Sequence, residues 1–265
     1  AFVIGFLWPF IWGIYLSFCK FTTVQDVTFV GFSNYSKILL DSTFSHSFWL
    51  TVVFAFVSSI LINVLAFFIA LALTKGYRGT NAFRTVFFMP NLIGGIVLGY
   101  IWQTLLNGLL SKWGQPLLSL SAKNGFIGML ILLMWQQIGY MMIIYIAGLQ
   151  AVPEDMLEAA KIDGANRWKQ TLNVTIPGIM PTVVIMLIMR IGSLMNANQE
   201  KILLLYNPLI YETSDVIGTF VYRKGLLEAD YGYSTAVGLF NSAVNVVLLF
   251  IANGVSRKYS ETSLF

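Results

Sequence analysis

Charge is what this chain has least of. Acidic and basic residues together make up 11% of its 265 residues, against about 25% in ordinary soluble domains, so water is the wrong solvent for most of its surface. Cysteine and histidine are almost missing, with only Cys19 and His46 present. A lone cysteine excludes an intrachain disulfide, and with a lone histidine it cannot assemble the usual multi-ligand zinc set, so both are read as structural. No cluster of nucleophile, base and orienting group is visible, which makes an enzyme a poor reading. No Gly-x-x-x-x-Gly-Lys-Ser/Thr phosphate loop occurs, so a nucleotide site of that kind is not expected. A basic stripe is absent as well: the net charge of +4 is scattered between apolar segments, which argues for loops at lipid headgroups over nucleic acid. The sequence opens at Ala1 inside an apolar run without a basic n-region or small-residue cleavage pattern, and no signal peptide is read.

What is there is hydrophobic, 57% of all residues. A spanning helix needs about 20 mostly apolar residues to cross a hydrocarbon core of about 30 Å. Stretches at about 1–19, 48–74, 83–106, 126–151, 176–197 and 234–254 qualify, predicting an all-α polytopic membrane protein with six transmembrane helices in a single domain. Pro9 and Pro90 fall inside two of them, as lipid-embedded helices tolerate. Six spans put both termini on one side. With the termini cytoplasmic, Lys75, Arg78, Arg84, Lys161, Arg167, Lys169, Arg257 and Lys258 fall in short inside segments. Lys20, Lys37, Lys112, Lys123, Lys201, Arg223 and Lys224 are then spread over longer outside ones, so the basic density favours this orientation. Gly95 with Gly99, and Ala66 with Ala70, place small residues four apart, which suits close helix packing. Residues 198–233 form a long external segment, in part helical or re-entrant.

Residues 153–177 interrupt this pattern with a polar stretch. Pro153 suits a first helical position, and Glu154 and Asp155 complement the positive end of a helix dipole. A helix over about 153–163 is expected, ended by Gly164 in a left-handed conformation, with Asn166 capping a second helix. Leu157, Ala160 and Gly164 recur at three and four residue steps, a narrow face of small side chains that a partner could approach, rimmed by Glu158 and Asp163. Short helices of this kind suit a groove carrying arginines.

Glu158-Ala159-Ala160, Asp163-Gly164-Ala165 and Ile176-Pro177 resemble the cytoplasmic signature loop of permease subunits in binding-protein-dependent ABC importers. The match is strong over about 150–181, and the order of apolar segments from 48 to 254 fits it. The run Tyr206-Asn207-Pro208-Leu209-Ile210-Tyr211-Glu212-Thr213-Ser214 and onward to Leu226 is similar to the oligosaccharide and polysaccharide branch of the maltose-type permeases. The family's usual Leu-Pro appears here as Ile176-Pro177. The resemblance implies that 152–175 is a coupling helix-turn-helix docking in a cleft of an ATPase subunit, with Leu157, Glu158, Ala159, Ala160, Asp163, Gly164, Ala165 and Pro177 as its motif residues. It also implies a second permease subunit in a heterodimer, two ATPase subunits that hold ATP and magnesium, an extracytoplasmic sugar-binding protein, an oligosaccharide substrate, and no cofactor on this chain. The expected location is the cell membrane.

Polar side chains within the spans are costly in lipid and should face the bundle interior or a wet cavity. Asn91, Trp102, Gln103, Trp135, Gln136, Gln137, Tyr140, Arg190, Asn196, Asn241 and Asn245 are candidates for a substrate pathway, with Asn63 and Tyr100 nearby. Neutral amides offer donors and acceptors to hydroxyls, and aromatic rings pack on pyranose faces. Ordinary interhelical hydrogen bonding is the competing reading for each of them. Arg190 is the one cation deep in a span and could attract an anionic sugar such as a uronate, pair with a partner's carboxylate, or snorkel. An ion-coupled secondary transporter or channel would call for an intramembrane carboxylate or a second structural repeat, and neither is evident.

Overall fold

The computed structural model describes residues 2–23, 25–74, 79–192, 202–203 and 208–259. Helix α1 (Val3–Ser17) is apolar, and Pro9 lies inside it just after a π-turn at Val3–Leu7, where the changed hydrogen-bond register accommodates its missing donor. A two-stranded antiparallel ribbon follows, β1 (Cys19–Lys20) with β2 (Thr28–Phe29), then α2 (Ser33–Leu40). Helix α3 (Ser42–Leu73) starts where the Asp41 carboxylate accepts from the Thr43 and Phe44 amides, satisfying donors that the first turn leaves open.

Over 83–106 the sequence suggests one helix, and the chain makes two: α4 (Thr80–Leu92) and α5 (Gly95–Lys112), bent by 107°. Ile93 adopts an extended backbone at φ −84°, ψ 131°, and Gly94 follows at ψ 139°. Pro90, three residues before the break, has no N–H to continue the ladder. The next elements are α6 (Ala122–Gln150) and α7 (Glu154–Ile162). Helix α8 begins at Arg167, passes through a π-turn at Thr171–Thr175 and runs on to Gly192. The polar stretch and the apolar span after it are therefore joined in one continuous helix. Past a 3₁₀ turn at Pro208–Ile210 come α9 (Tyr211–Ser214), α10 (Ile217–Tyr222) with a π-turn at Arg223–Leu227, and α11 (Tyr231–Tyr259). Among the described residues α3, α6, α8 and α11 are long and apolar enough to cross a membrane, the bent α4–α5 pair gives a fifth candidate, and α1 is shorter.

Helix α6 is the centre of the bundle, packed most extensively on α3 and α4. It runs parallel to α3. Phe54 meets Phe126 at 5.7 Å between ring centroids and Phe67 meets Tyr145 at 5.8 Å, while the Tyr145 hydroxyl donates to Asn63 Oδ1 at 2.7 Å. Asn63 thus takes the ordinary part of an interhelical hydrogen bond. Ala66 and Ala70 are fully buried on this seam, where small residues let helices approach. On the α4 side the approach is closer. A Cβ on Gly139 would lie 1.9 Å from the Phe87 carbonyl oxygen, so only glycine fits.

Residues 208–230 cover the opposite end of the bundle from the polar turn. The Ile217 amide donates to Thr51 Oγ1 at 2.8 Å, Ser47 Oγ to Asp215 Oδ2 at 3.3 Å and Thr213 Oγ1 to the Ala122 carbonyl at 2.8 Å. Asp215 is buried, pairs with Arg223 and accepts from Thr219 Oγ1 at 3.0 Å. A second apolar cluster of Ile38, Phe44, Ile217, Phe220, Tyr233 and Val237 locks α2, α3, α10 and α11 together here. At the same end, Gly232 sits where a Cβ would come within 2.0 Å of the Cys19 carbonyl oxygen, so α1 ends where α11 begins.

Candidate functional site

The polar turn is built by local chemistry. Pro153 occupies the N-cap of α7 at φ −59°, ψ 133°, one position earlier than its sequence suggests, and its carbonyl accepts from the Met156 amide at 3.2 Å. Glu154 and Asp155 lie in the first turn and Lys161 in the last, each matching the dipole end it faces. Gly164 ends the helix at φ 76°. Its amide donates to Lys161 O at 3.1 Å and the Ala165 amide to Ala160 O at 2.9 Å, the paired bonds of a Schellman motif. Asn166 Oδ1 then accepts from the Lys169 amide at 2.9 Å, and Gln170 Nε2 reaches back to Ala165 O at 2.7 Å. The result is a helix, a fixed turn and a second helix.

Leu157 and Ala160 are half-buried and turn toward this chain, with Leu157 facing a cavity walled by α3 and α8. The outward side carries Met156, Glu158, Ala159, Ile162 and Asp163, all exposed, with Ile162 86% exposed. Gly164 is exposed and Ala165 half-buried. Trp168, just beyond the turn, is 58% exposed. Glu154, Asp155, Glu158 and Asp163 make no ion pair among the described residues. Pro177 lies inside α8, directly after the π-turn, where the changed hydrogen-bond register accommodates its missing donor.

The pathway candidates divide. Trp102 of α5 and Trp135 of α6 meet edge to face at 5.1 Å. Next to them Gln136 Nε2 donates to the Ile93 carbonyl at 3.3 Å, so α6 holds the α4–α5 bend, one turn from half-buried Asn91. Gln103 and Gln137 are half-buried and Tyr140 is 43% exposed on the bundle surface. Arg190 is half-buried near the end of α8, Asn241 is buried and Asn245 half-buried one turn apart on α11. Asn196 lies outside the described residues. Trp102 Nε1, Gln136 Oε1, Asn241 Oδ1 and Asn245 Oδ1 are buried without a hydrogen-bond partner among the described residues. In hydrocarbon such atoms cost several kcal/mol each.

Sequence reasoning did not single out Gly139 or the Gln136 contact with the bend. Their signal lies on α6, where Gly125, Gly128, Leu132, Gln136 and Gly139 are all buried at steps of three and four, a stripe of small and polar residues on one face.

The family described as binding-protein-dependent transport system inner membrane component matches residues 62–261. A probable starch degradation products transport system permease protein, AmyD of Thermoanaerobacterium thermosulfurigenes, is 38% identical over 199 residues, covering 72% of this chain and 68% of that one. The polygalacturonan/rhamnogalacturonan transport system permease protein YteP of Bacillus subtilis is 29% identical over 273 residues, covering 96% of this chain and 84% of its own length. The crystal structure of a bacterial ABC transporter involved in the import of the acidic polysaccharide alginate superposes with a TM-score of 0.87 at 27% identity over 98% of this chain and 92% of that one. The alginate transporter in complex with its pentasaccharide-bound periplasmic protein superposes equally, with 99% and 92% covered. This chain therefore belongs to the binding-protein-dependent transport system inner membrane components, the permease subunits of ABC importers.

Proposed function

We propose that this chain is a transmembrane subunit of an ATP-driven importer that moves oligosaccharides inward by alternating access. The observation that carries the energy-coupling part is the outward side of α7: Met156 and Ile162 are apolar and uncovered by this chain, beside Glu158 and Asp163. Such a set suits a cleft lined by apolar and basic groups on a partner. That partner is an ATPase holding ATP and magnesium, two copies of which serve this chain and a second permease subunit. This chain holds no nucleotide, and an extracytoplasmic binding protein delivers the sugar. The names of the relatives, which include starch products, galacturonans and alginate, support an oligosaccharide substrate.

On this reading α1 and the α4–α5 pair count as spans, giving six, and the polar turn and both termini lie in the cytoplasm. Supporting this, α1 ends and α11 begins at the end of the bundle opposite the turn. Trp102, Gln136, Asn241 and Asn245 are the pathway residues whose buried polar atoms lack a partner among the described residues, and Arg190 is the selector for acidic sugars. Two measurements test the reading. Glu158→Lys in the intact transporter is expected to abolish sugar-stimulated ATP hydrolysis while assembly in the membrane persists; normal uptake would remove the docking role. Arg190→Gln is expected to reduce uptake of uronate oligosaccharides more than of neutral ones, and equal uptake of both would remove its selector role.

A further inference from the structure

A cavity of about 780 Å³ opens between the last turns of α3 and the start of α8, within the size range of ligand pockets, about 300–1,000 Å³. Its walls differ in kind. Phe68, Leu71 and Ala72 of α3 form an apolar wall, and Arg167, Trp168 and Gln170 of α8 form a polar one. Helix α3 ends at Leu73, so the cavity lies beside the last turns of a helix long and apolar enough to cross a membrane.

The polar wall carries one positive charge, Arg167, and Lys169 adds a second beside it on the same turn. Arg167 and Lys169 stand in the first turn of α8 with no acidic residue among them, at the helix end whose dipole is itself positive. Their like-sign placement is a local cost that a bound anion relieves. Two neighbouring groups are already committed: Gln170 Nε2 donates to Ala165 O at 2.7 Å and Thr171 Oγ1 to Arg167 O at 2.9 Å. The Arg167 guanidinium makes no ion pair among the described residues, and Trp168, 58% exposed, is the residue type that sits at headgroup level.

We propose that this cavity holds an anionic phospholipid, its phosphate on Arg167 and its acyl chain along Phe68, Leu71 and Ala72. Charge complementarity selects the headgroup. The apolar wall selects a lipid over a free anion, which would leave that wall bare.

The test uses the intact transporter in nanodiscs of mixed phosphatidylglycerol and phosphatidylcholine, transferred to detergent and read by native mass spectrometry for retained lipid. Wild type is expected to retain phosphatidylglycerol in preference to phosphatidylcholine. Arg167→Gln should lower that retention about fivefold, the contribution of one basic residue at an anionic surface. Leu71→Trp, which fills the apolar wall and leaves the charge intact, should lower it as well, and Lys112→Gln at the far end of α5 should not. Thermal unfolding of each variant identifies any that fails to fold, and the remaining variant then decides. Unchanged retention in Arg167→Gln, equal retention of both lipids, or displacement by millimolar inorganic phosphate would each overturn the proposal.

Discussion

Replacing Gly139 with alanine tests the seam on which the bundle rests. The new Cβ would lie 1.9 Å from the Phe87 carbonyl oxygen, 2.4 Å from its carbon and 2.8 Å from Phe88 Cα, against 3.4–4 Å for ordinary contact. These are backbone atoms, so no rotamer change relieves the clash. The helices must separate locally by 3.4 − 1.9, about 1.5 Å. The bond from Gln136 to the Ile93 carbonyl, one turn away at 3.3 Å, has no slack for that. Overpacking of this kind costs about 1–3 kcal/mol, and the carbonyl left unpaired adds about 1–3 kcal/mol. The sum is about 2–6 kcal/mol, a large fraction of a domain's stability. Gly108 of α5 is the control, because nothing lies within 4 Å of its would-be Cβ. Alanine there should be neutral or stabilising by up to about 1 kcal/mol. Thermal unfolding of the detergent-solubilised transporter reads both. If Gly139→Ala melted as high as Gly108→Ala, the close approach of α4 and α6 would be refuted.

Asp41 gives a pH dependence. Burial pushes its carboxyl up, but hydrogen bonds from the Thr43 hydroxyl, the Tyr233 phenol and the Phe44 and Thr43 amides outweigh it and hold the value below 3.8. A depressed carboxyl stabilises the fold fully above its unfolded value and loses that contribution as pH falls through the folded one. Wild type should therefore be more stable than Asp41→Asn at neutral pH, with the gap closing below about pH 4; a gap that widens in acid would contradict the assignment. Arg223→Leu removes the cation that pairs with buried Asp215 and should cost about 3–5 kcal/mol, whereas the double change Asp215→Asn with Arg223→Leu should cost less. A double variant as unstable as the single one would show that the charge balance is not what matters.

The apolar stretches were legible because hydrophobicity is additive along a helix, and α3, α6 and α11 lie where composition put them. The turn at Gly164 and the cap at Asn166 were legible because each is decided by residues within a few positions. The bend at 93–94 was not, since Pro90 alone is compatible with a kinked continuous span and the break is completed by a side chain of α6, 43 residues away. The direction of the Leu157 and Ala160 face was also hidden. Periodicity finds a face but does not say whether the chain or a partner covers it. Asp215 and Arg223 lie eight residues apart in a segment without a strong period, so their pairing needed the fold.

The π-turn at Thr171–Thr175 sets an angle. Each residue of an α-helix advances about 100° around the axis, and a π-turn holds one residue more than the surrounding winding would. The azimuth at which α7 and the Gly164 turn leave the span is thus fixed by a count of residues, independently of any contact that α7 makes. Losing one residue between 171 and 175 would close the wide turn into ordinary winding and leave the polar hairpin at about the same azimuth, whereas losing one from the regular helix beyond it would swing the hairpin by about 100° around the same axis, with its hydrogen bonds intact and its outward side presented elsewhere.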